Sequence, residues 1–211
     1  FALHRRFGIE RCVVVQSVVH GFDNRAVEDV LRSAPGRYLG IALVPLDIPS
    51  SELARLAALG FRGVRFNFMK HLQPQVPMAE VMAFSRRLEP HRMHLQVHCE
   101  ADLLPELAPL LARSPVPVVI DHMGRVDARR GARQAPFVAL QELLQRPDSN
   151  AWVKVSGIDR IDANEGPVDG YRAGVALARQ LVAEHPDRCV WGSDWPHPNH
   201  THVPDDTVLV E

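Results

Sequence analysis

Cysteine is scarce in this sequence. Its three residues, Cys12, Cys99 and Cys189, are odd in number and far apart, and each sits in or beside an apolar run. That spacing makes neither a disulfide framework nor a zinc motif. They read as reduced, buried thiols, which points to a cytoplasmic location. Cys99 stands beside His98, so a nucleophilic thiol is an alternative, though the buried thiol is the simpler reading. A surplus of charge is also missing: 24 Lys and Arg face 25 Asp and Glu, for a net charge of -1. This argues against a nucleic-acid surface and against a polybasic membrane patch. No apolar run is long enough to span a bilayer, and the N-terminus lacks the charged-then-apolar pattern of a secretory signal. There is no Gly-rich phosphate loop, internal repeat, linker or low-complexity tract.

What is present is alternation. Apolar β runs occur at Cys12–Val15, Tyr38–Val44, Gly63–Phe68, His94–His98, Val116–Asp121, Trp152–Ser156 and Cys189–Ser193. Between them lie amphipathic stretches at Asn24–Ser33, Ser50–Leu59, Met78–Glu89, Asp102–Ala112, Phe137–Leu144 and Val168–Glu184. Leu53, Leu56, Ala57 and Leu59 show the helical spacing, as do Leu103, Leu107, Leu110 and Leu111. The β runs are rich in Val and Ile and apolar on both faces, which suits parallel strands covered by helices. With no phosphate loop, the expected fold is α/β of the (β/α)8 TIM type, a single domain over residues 1–211. A complete barrel needs eight strands and about 250 residues. Phe1 to Gly8 reads as the tail of a helix, and Asp205–Glu211 stops before a final one. The expectation is therefore that the first strand and the C-terminal helix are lacking, and that the seven runs are strands two to eight.

On a barrel of this kind, the strand ends build the active site. The run Cys189–Ser193 breaks into a polar turn at Asp194, followed by Trp195, Pro196 and His197. A carboxylate where a buried strand meets a loop is costly without a partner or a task, and Asp194 is read as a general base. A turn-capping Asp is the plainer alternative. His98 and His122 end two consecutive runs, where an imidazole can polarise a carbonyl or bind a metal. Arg65 shares the inward face of its run with Gly63 and Asn67. It needs either a substrate carboxylate, which Arg grips in a two-pronged fashion, or an acid elsewhere. Arg160 lies just past the run that holds Lys154 and Ser156. It reads as a second anion clamp, and Lys154 as an inner ion-pair member. Ser17 lies in an active-face loop where it can hydrogen-bond a substrate, and Asp23 or Asn24 is expected to cap the next helix. His71 follows the run ending at Phe68. Of the loop histidines, His197 is expected near the site, with His200 and His202 exposed.

Four segments carry a family resemblance: Val14-Val15-Gln16-Ser17 with Gly21, Asp23 and Asn24; Arg62-Gly63-Val64-Arg65-Phe66-Asn67-Phe68; Ile120-Asp121-His122-Met123-Gly124-Arg125; and Trp191-Gly192-Ser193-Asp194-Trp195-Pro196-His197-Pro198-Asn199. In this order they resemble the 2-pyrone-4,6-dicarboxylate lactonase branch of the amidohydrolase superfamily. The resemblance implies a distorted (β/α)8 barrel that hydrolyses a small carboxylated lactone. Asp194 would activate water, and His122 would help polarise the lactone carbonyl. Ser17, Arg65 and Arg160 would contact the substrate carboxylates. His98 stands where the family has a Tyr, and His71 where it has an Arg, so both are candidate substrate contacts. The absence of an Arg at His71 leaves sugar-acid lactonases and sulfomuconolactone-type hydrolases as alternatives.

The family's first-strand His-x-His pair is absent from this sequence. The dicarboxylate lactonase implies no cofactor. The wider superfamily implies one Zn2+, for which His98 and Asp194 would be the ligands present. Two rival readings stand beside the lactonase. One is a decarboxylase of an aromatic or unsaturated acid on the same scaffold. The other is an inactive, truncated binding remnant, whose exposed strand edges would favour a homo-oligomer.

Overall fold

The computed structural model describes residues 2–72, 76–162, 171–197 and 207. Its strands are β1 (Cys12–Val15), β2 (Tyr38–Ala42), β3 (Phe61–Phe68), β4 (His94–Cys99), β5 (Val118–Ile120), β6 (Ala151–Val155) and β7 (Cys189–Trp191). Its α-helices are α1 (Ala2–Arg6), α2 (Arg25–Ser33), α3 (Ser50–Leu59), α4 (Met78–Ser85), α5 (Leu104–Leu111), α6 (Ala135–Gln145), α7 (Ile158–Ile161) and α8 (Arg172–Glu184). The strands are hydrogen-bonded in chain order, β1 to β7. The pairs β1–β2, β2–β3, β5–β6 and β6–β7 are parallel. This is the α/β pattern that alternation of apolar runs and amphipathic stretches calls for. Contacts group the chain into two compact units: Phe1–Phe66 with Pro77–Gln96, and Asn67–Val76 with Val97–Glu211.

In the first unit, α3 runs over the residues its leucine spacing marks, and Leu53 and Leu56 are buried one turn apart. Ile41, Phe61, Val64, Val81, Leu88 and Leu95 are sealed in the same unit. Each such side chain contributes about 2 kcal/mol by leaving water. The Phe66 and Phe84 rings meet edge to face, 5.3 Å between centroids. Glu28 is buried on α2, and Arg55 and Arg32 neutralise it. Asn24 occupies the N-cap position of α2 without making a side-chain cap. Its amide instead bridges to β2's end, donating to the Leu43 carbonyl and accepting from the Leu43 N–H. Asp23 takes the hydrogen bond from the Arg25 backbone N–H.

The second unit positions the polar strand ends. Leu104, Leu111, Val118, Ile120, Phe137, Leu140, Leu143, Val153 and Leu181 form its core. The register pairs Ile120 with Val153, Val153 with Cys189, and Val155 with Trp191. The residues following Ile120, Val155 and Trp191 therefore leave the sheet at the same end. The Gly192 N–H donates to the Val155 carbonyl and carries the ladder one step past β7.

Element ends differ from the sequence expectation where the backbone turns. β5 stops at Ile120, short of Asp121, because His122, Met123, Gly124 and Arg125 all take left-handed torsions, with φ of 50, 50, 68 and 56°. α4 stops at Ser85, ahead of a short 3-10 turn at Glu89–His91 that holds Pro90, a residue with no N–H to give a helix. α8 starts at Arg172, and residues 168–170 of the expected helix lie outside the described residues, as do His200 and His202. All three cysteines are free. Burial pushes the Cys99 thiol up to about 12, so it is not a thiolate nucleophile at neutral pH. Among the described residues no helix is long and apolar enough to cross a membrane.

Candidate active site

Three strand ends and one short helix of the second unit gather around Asp194. Its own backbone is left-handed, with φ 56°, as is that of His197, with φ 54°. The His197 N–H donates to the Asp194 carbonyl, 2.9 Å away, and closes a tight turn. From α7, the Arg160 Nε donates to Asp194 Oδ2. Both side chains are almost covered, at 11% and 14% exposure. The preceding residue, Asp159, is fully buried, and its Oδ2 lies 3.2 Å from His197 Nδ1. Neighbouring residues of α7 thus hold the Asp194 turn at both of its ends.

His122 faces the other carboxylate oxygen. Its Nε2 lies 3.6 Å from Asp194 Oδ1, and its Nδ1 lies 2.9 Å from Ser156 Oγ. The left-handed turn after β5 makes this placement. A strand continued past Ile120 would carry the ring away along the sheet. Burial pushes His122 down to about 4, against the smaller opposing pull of Asp121 and Asp194, so the imidazole is neutral at neutral pH. The His98 ring lies edge-on to it, 5.3 Å between centroids, and His98 Nδ1 is 3.1 Å from Asn67 Oδ1. Beneath His122, Lys154 forms an ion pair with the fully buried Asp121, the structural role its place on the strand suggests. Arg125 closes the left-handed turn. Burial, followed by the nearby Arg160 guanidinium, lowers its pKa from the usual range.

The second unit therefore brings together Asp194, His122, His98 and Arg160 among the residues singled out from sequence. His71 belongs to the same unit but is exposed and makes no hydrogen bond among the described residues. Ser17 and Arg65 belong to the first unit. Ser17 is exposed and precedes a short 3-10 turn without capping it. Arg65 is half-buried, and its Nη2 donates to the Gln16 carbonyl, 3.0 Å away. Two residues escape a sequence reading. Ser156 is visible there only as the inward neighbour of Lys154, and Asp159 only as the residue before Arg160.

A metal ion was an alternative, with His98 and Asp194 as ligands. Among the described residues, no three His, Cys, Asp or Glu side chains converge as a ligand set. The Asp194 carboxylate is engaged by a guanidinium on one oxygen and faced by His122 on the other. With one carboxylate oxygen already held by Arg160 and no third ligand converging among the described residues, the arrangement does not fit a bound metal.

The amidohydrolase model Amidohydro_2 matches residues 1–211. The chain is 41% identical over 217 residues to a 2-pyrone-4,6-dicarboxylate hydrolase of Comamonas testosteroni, covering 100% of this chain and 71% of that one. It is 36% identical over 221 residues to a 4-sulfomuconolactone hydrolase of Rhizobium radiobacter, covering 99% and 70%. A crystal structure from Pseudomonas putida, assigned as a 2-pyrone-4,6-dicarboxylic acid hydrolase, superposes with a TM-score of 0.83 at 34% identity, covering 99% of this chain and 76% of that one. The motifs ending at Asp194 and His122 are thus set in a chain that belongs to the amidohydrolase family.

Proposed function

We propose that this chain opens an anionic lactone by hydrolysis, with Asp194 as the general base and His122 as the group that polarises the carbonyl. The observation that carries the reading is the placement of a carboxylate, a neutral imidazole and a guanidinium on one strand-end cluster. Both named relatives act on a lactone with acidic substituents, which supports the same substrate class here. The likeness to the P. putida structure supports the (β/α)8 type of fold.

The chemistry follows from the donors and acceptors present. Arg160 donates its Nε–H to Asp194 and brings a fixed positive charge that attracts a substrate carboxylate to the same place. The His122 Nε2–H donates to the lactone carbonyl oxygen and stabilises the charge that grows there. Asp194 takes a proton from water, whose oxygen bonds to the carbonyl carbon. The bond from that carbon to the ring oxygen then breaks. Asp194 returns its proton to the ring oxygen as it leaves, and the ring opens to a carboxylic acid, which gives its proton to solvent. His98, edge-on to His122, restricts where that ring can turn. Ser17, Arg65 and His71 are assigned to the substrate on the family resemblance.

An ultraviolet assay over a panel of carboxylated and sulfonated lactones tests the reading, with and without chelator. Turnover that survives chelation is the expected result. Silence on every lactone, together with release of carbon dioxide from an unsaturated or aromatic acid, would replace the lactonase with a decarboxylase.

A further inference from the structure

We propose that Ser156 is a positioning residue of this site: its hydroxyl donates to His122 Nδ1 and thereby locks the imidazole hydrogen on Nε2. The inference rests on the lactone-opening role of His122, which requires that nitrogen to be a donor.

Three observations lead to it. The Ser156 Oγ is 2.9 Å from His122 Nδ1, and both residues are buried, at 3% and 4% exposure. On its far side the ring turns Nε2 toward the Asp194 carboxylate, 3.6 Å away. That separation is long for a hydrogen bond, but it still fixes the polarity. A carboxylate paired with Arg160 offers only lone pairs. A bare ring nitrogen aimed at it would set lone pair against lone pair, so the hydrogen sits on Nε2. Burial keeps the ring neutral, so it has one hydrogen to place, and Nδ1 is left bare. A serine hydroxyl can donate or accept. Beside a bare nitrogen it donates.

The third observation is the closure around Nδ1. Gly157 has a left-handed backbone, φ +64°, and a Cβ placed there would come 3.1 Å from Nδ1. The side of the ring that meets Ser156 is packed by backbone. Without the hydroxyl, Nδ1 would be a buried acceptor lacking its partner, and the hydrogen could move to it. The Nδ1–H form would then present a bare Nε2 to the lactone carbonyl. Two acceptors would face each other, and nothing would polarise the substrate.

The test reads the tautomer directly. Histidine labelled with 15N in the full chain gives separate Nδ1 and Nε2 resonances for His122, identified by their loss in His122→Asn. At neutral pH the expected pattern is a bare Nδ1 and a protonated Nε2. In Ser156→Ala that pattern should average toward the other tautomer. On whichever lactone the chain turns over, kcat should fall about 10-fold or more, with KM within about twofold. Ser156→Thr keeps the hydroxyl and should restore both readouts, which also guards against an alanine variant that folds poorly. A wild-type hydrogen on Nδ1 would overturn the proposal, as would a Ser156→Ala protein with unchanged tautomer or unchanged kcat. If the expected tautomer appears but no lactone is opened, the Ser156 lock stands and the lactone reading falls.

Discussion

Arg160 clasps the Asp194 carboxylate through Nε. The group assigned to water activation is therefore aimed before any substrate arrives. Asp194→Asn removes the base but keeps the shape. It should lower kcat by about 10²- to 10⁴-fold, the usual worth of a positioned base, while KM changes little. Steady-state kinetics on the best lactone check this, and near-normal turnover would remove Asp194 from the mechanism.

The same contact sets the expectation for Arg160. Arg160→Met removes the counterion of Asp194 and, on the proposed reading, the positive charge that meets the substrate carboxylate. A charged hydrogen bond is worth about 1.5–3 kcal/mol, so KM should rise about 10- to 100-fold. Arg160→Lys should recover only part of it, since an ammonium cannot reach two carboxylates with a fixed fork. A lysine variant with wild-type KM would show that Arg160 serves Asp194 alone.

His122 makes stability depend on pH. Its ordinary pKa of 6.5 is pushed down to about 4 by burial. Between those values the unfolded chain binds a proton that the folded chain refuses. Stability should therefore fall as pH drops from 6.5 to 4, by up to about 1.4 kcal/mol per unit, and this group should contribute no slope above 6.5. The pKa of His185 is also lowered by burial, so part of the slope belongs to it. Melting temperatures between about pH 7.5 and 4.5 should fall less steeply in His122→Asn than in the wild type. Parallel curves would contradict the buried, neutral imidazole.

Much of this is legible in the residues themselves. All seven β runs are strands, and α3 needs no adjustment of its ends, because its Leu spacing and flanking Pro49 and Gly60 all agree. The pairing of Lys154 with a buried acid also follows from its inward position. The left-handed run His122–Arg125 is not legible, since three of its four residues are types that rarely take that conformation. Nor are Ser156 against His122 and Asp159 against His197, partners separated by 34 and 38 residues. Only the register of β5, β6 and β7 brings such residues level, and no local pattern encodes it. His71 reads as a substrate contact by position, and its side chain is exposed.

Gly157 carries a prediction about both fold and chemistry. A methyl group there would strain a left-handed backbone and press on His122 Nδ1 at 3.1 Å and Arg160 Cδ at 3.3 Å. Gly157→Ala should cost about 1–3 kcal/mol of stability and disturb both site residues. Denaturant unfolding and kcat should move together. A variant of wild-type stability and activity would mean that the ring and the guanidinium stem yield freely.

The ion pair beneath the site supplies the last test. Lys154 meets an Asp121 that has no exposure to solvent, so removing the lysine takes away a counter-charge from a buried carboxylate. Lys154→Met should destabilise by about 3–5 kcal/mol. The double change with Asp121→Asn removes both charges and should cost less than the sum of the single changes, with a coupling of about 1–3 kcal/mol. Urea unfolding of the four proteins gives the cycle. Additive losses would mean that Asp121 draws its stabilisation from other neighbours. A coupling of the expected size would show that the two charges, both of which act on His122, stabilise each other. Activity in the stable double variant would then report how far the pair tunes the imidazole.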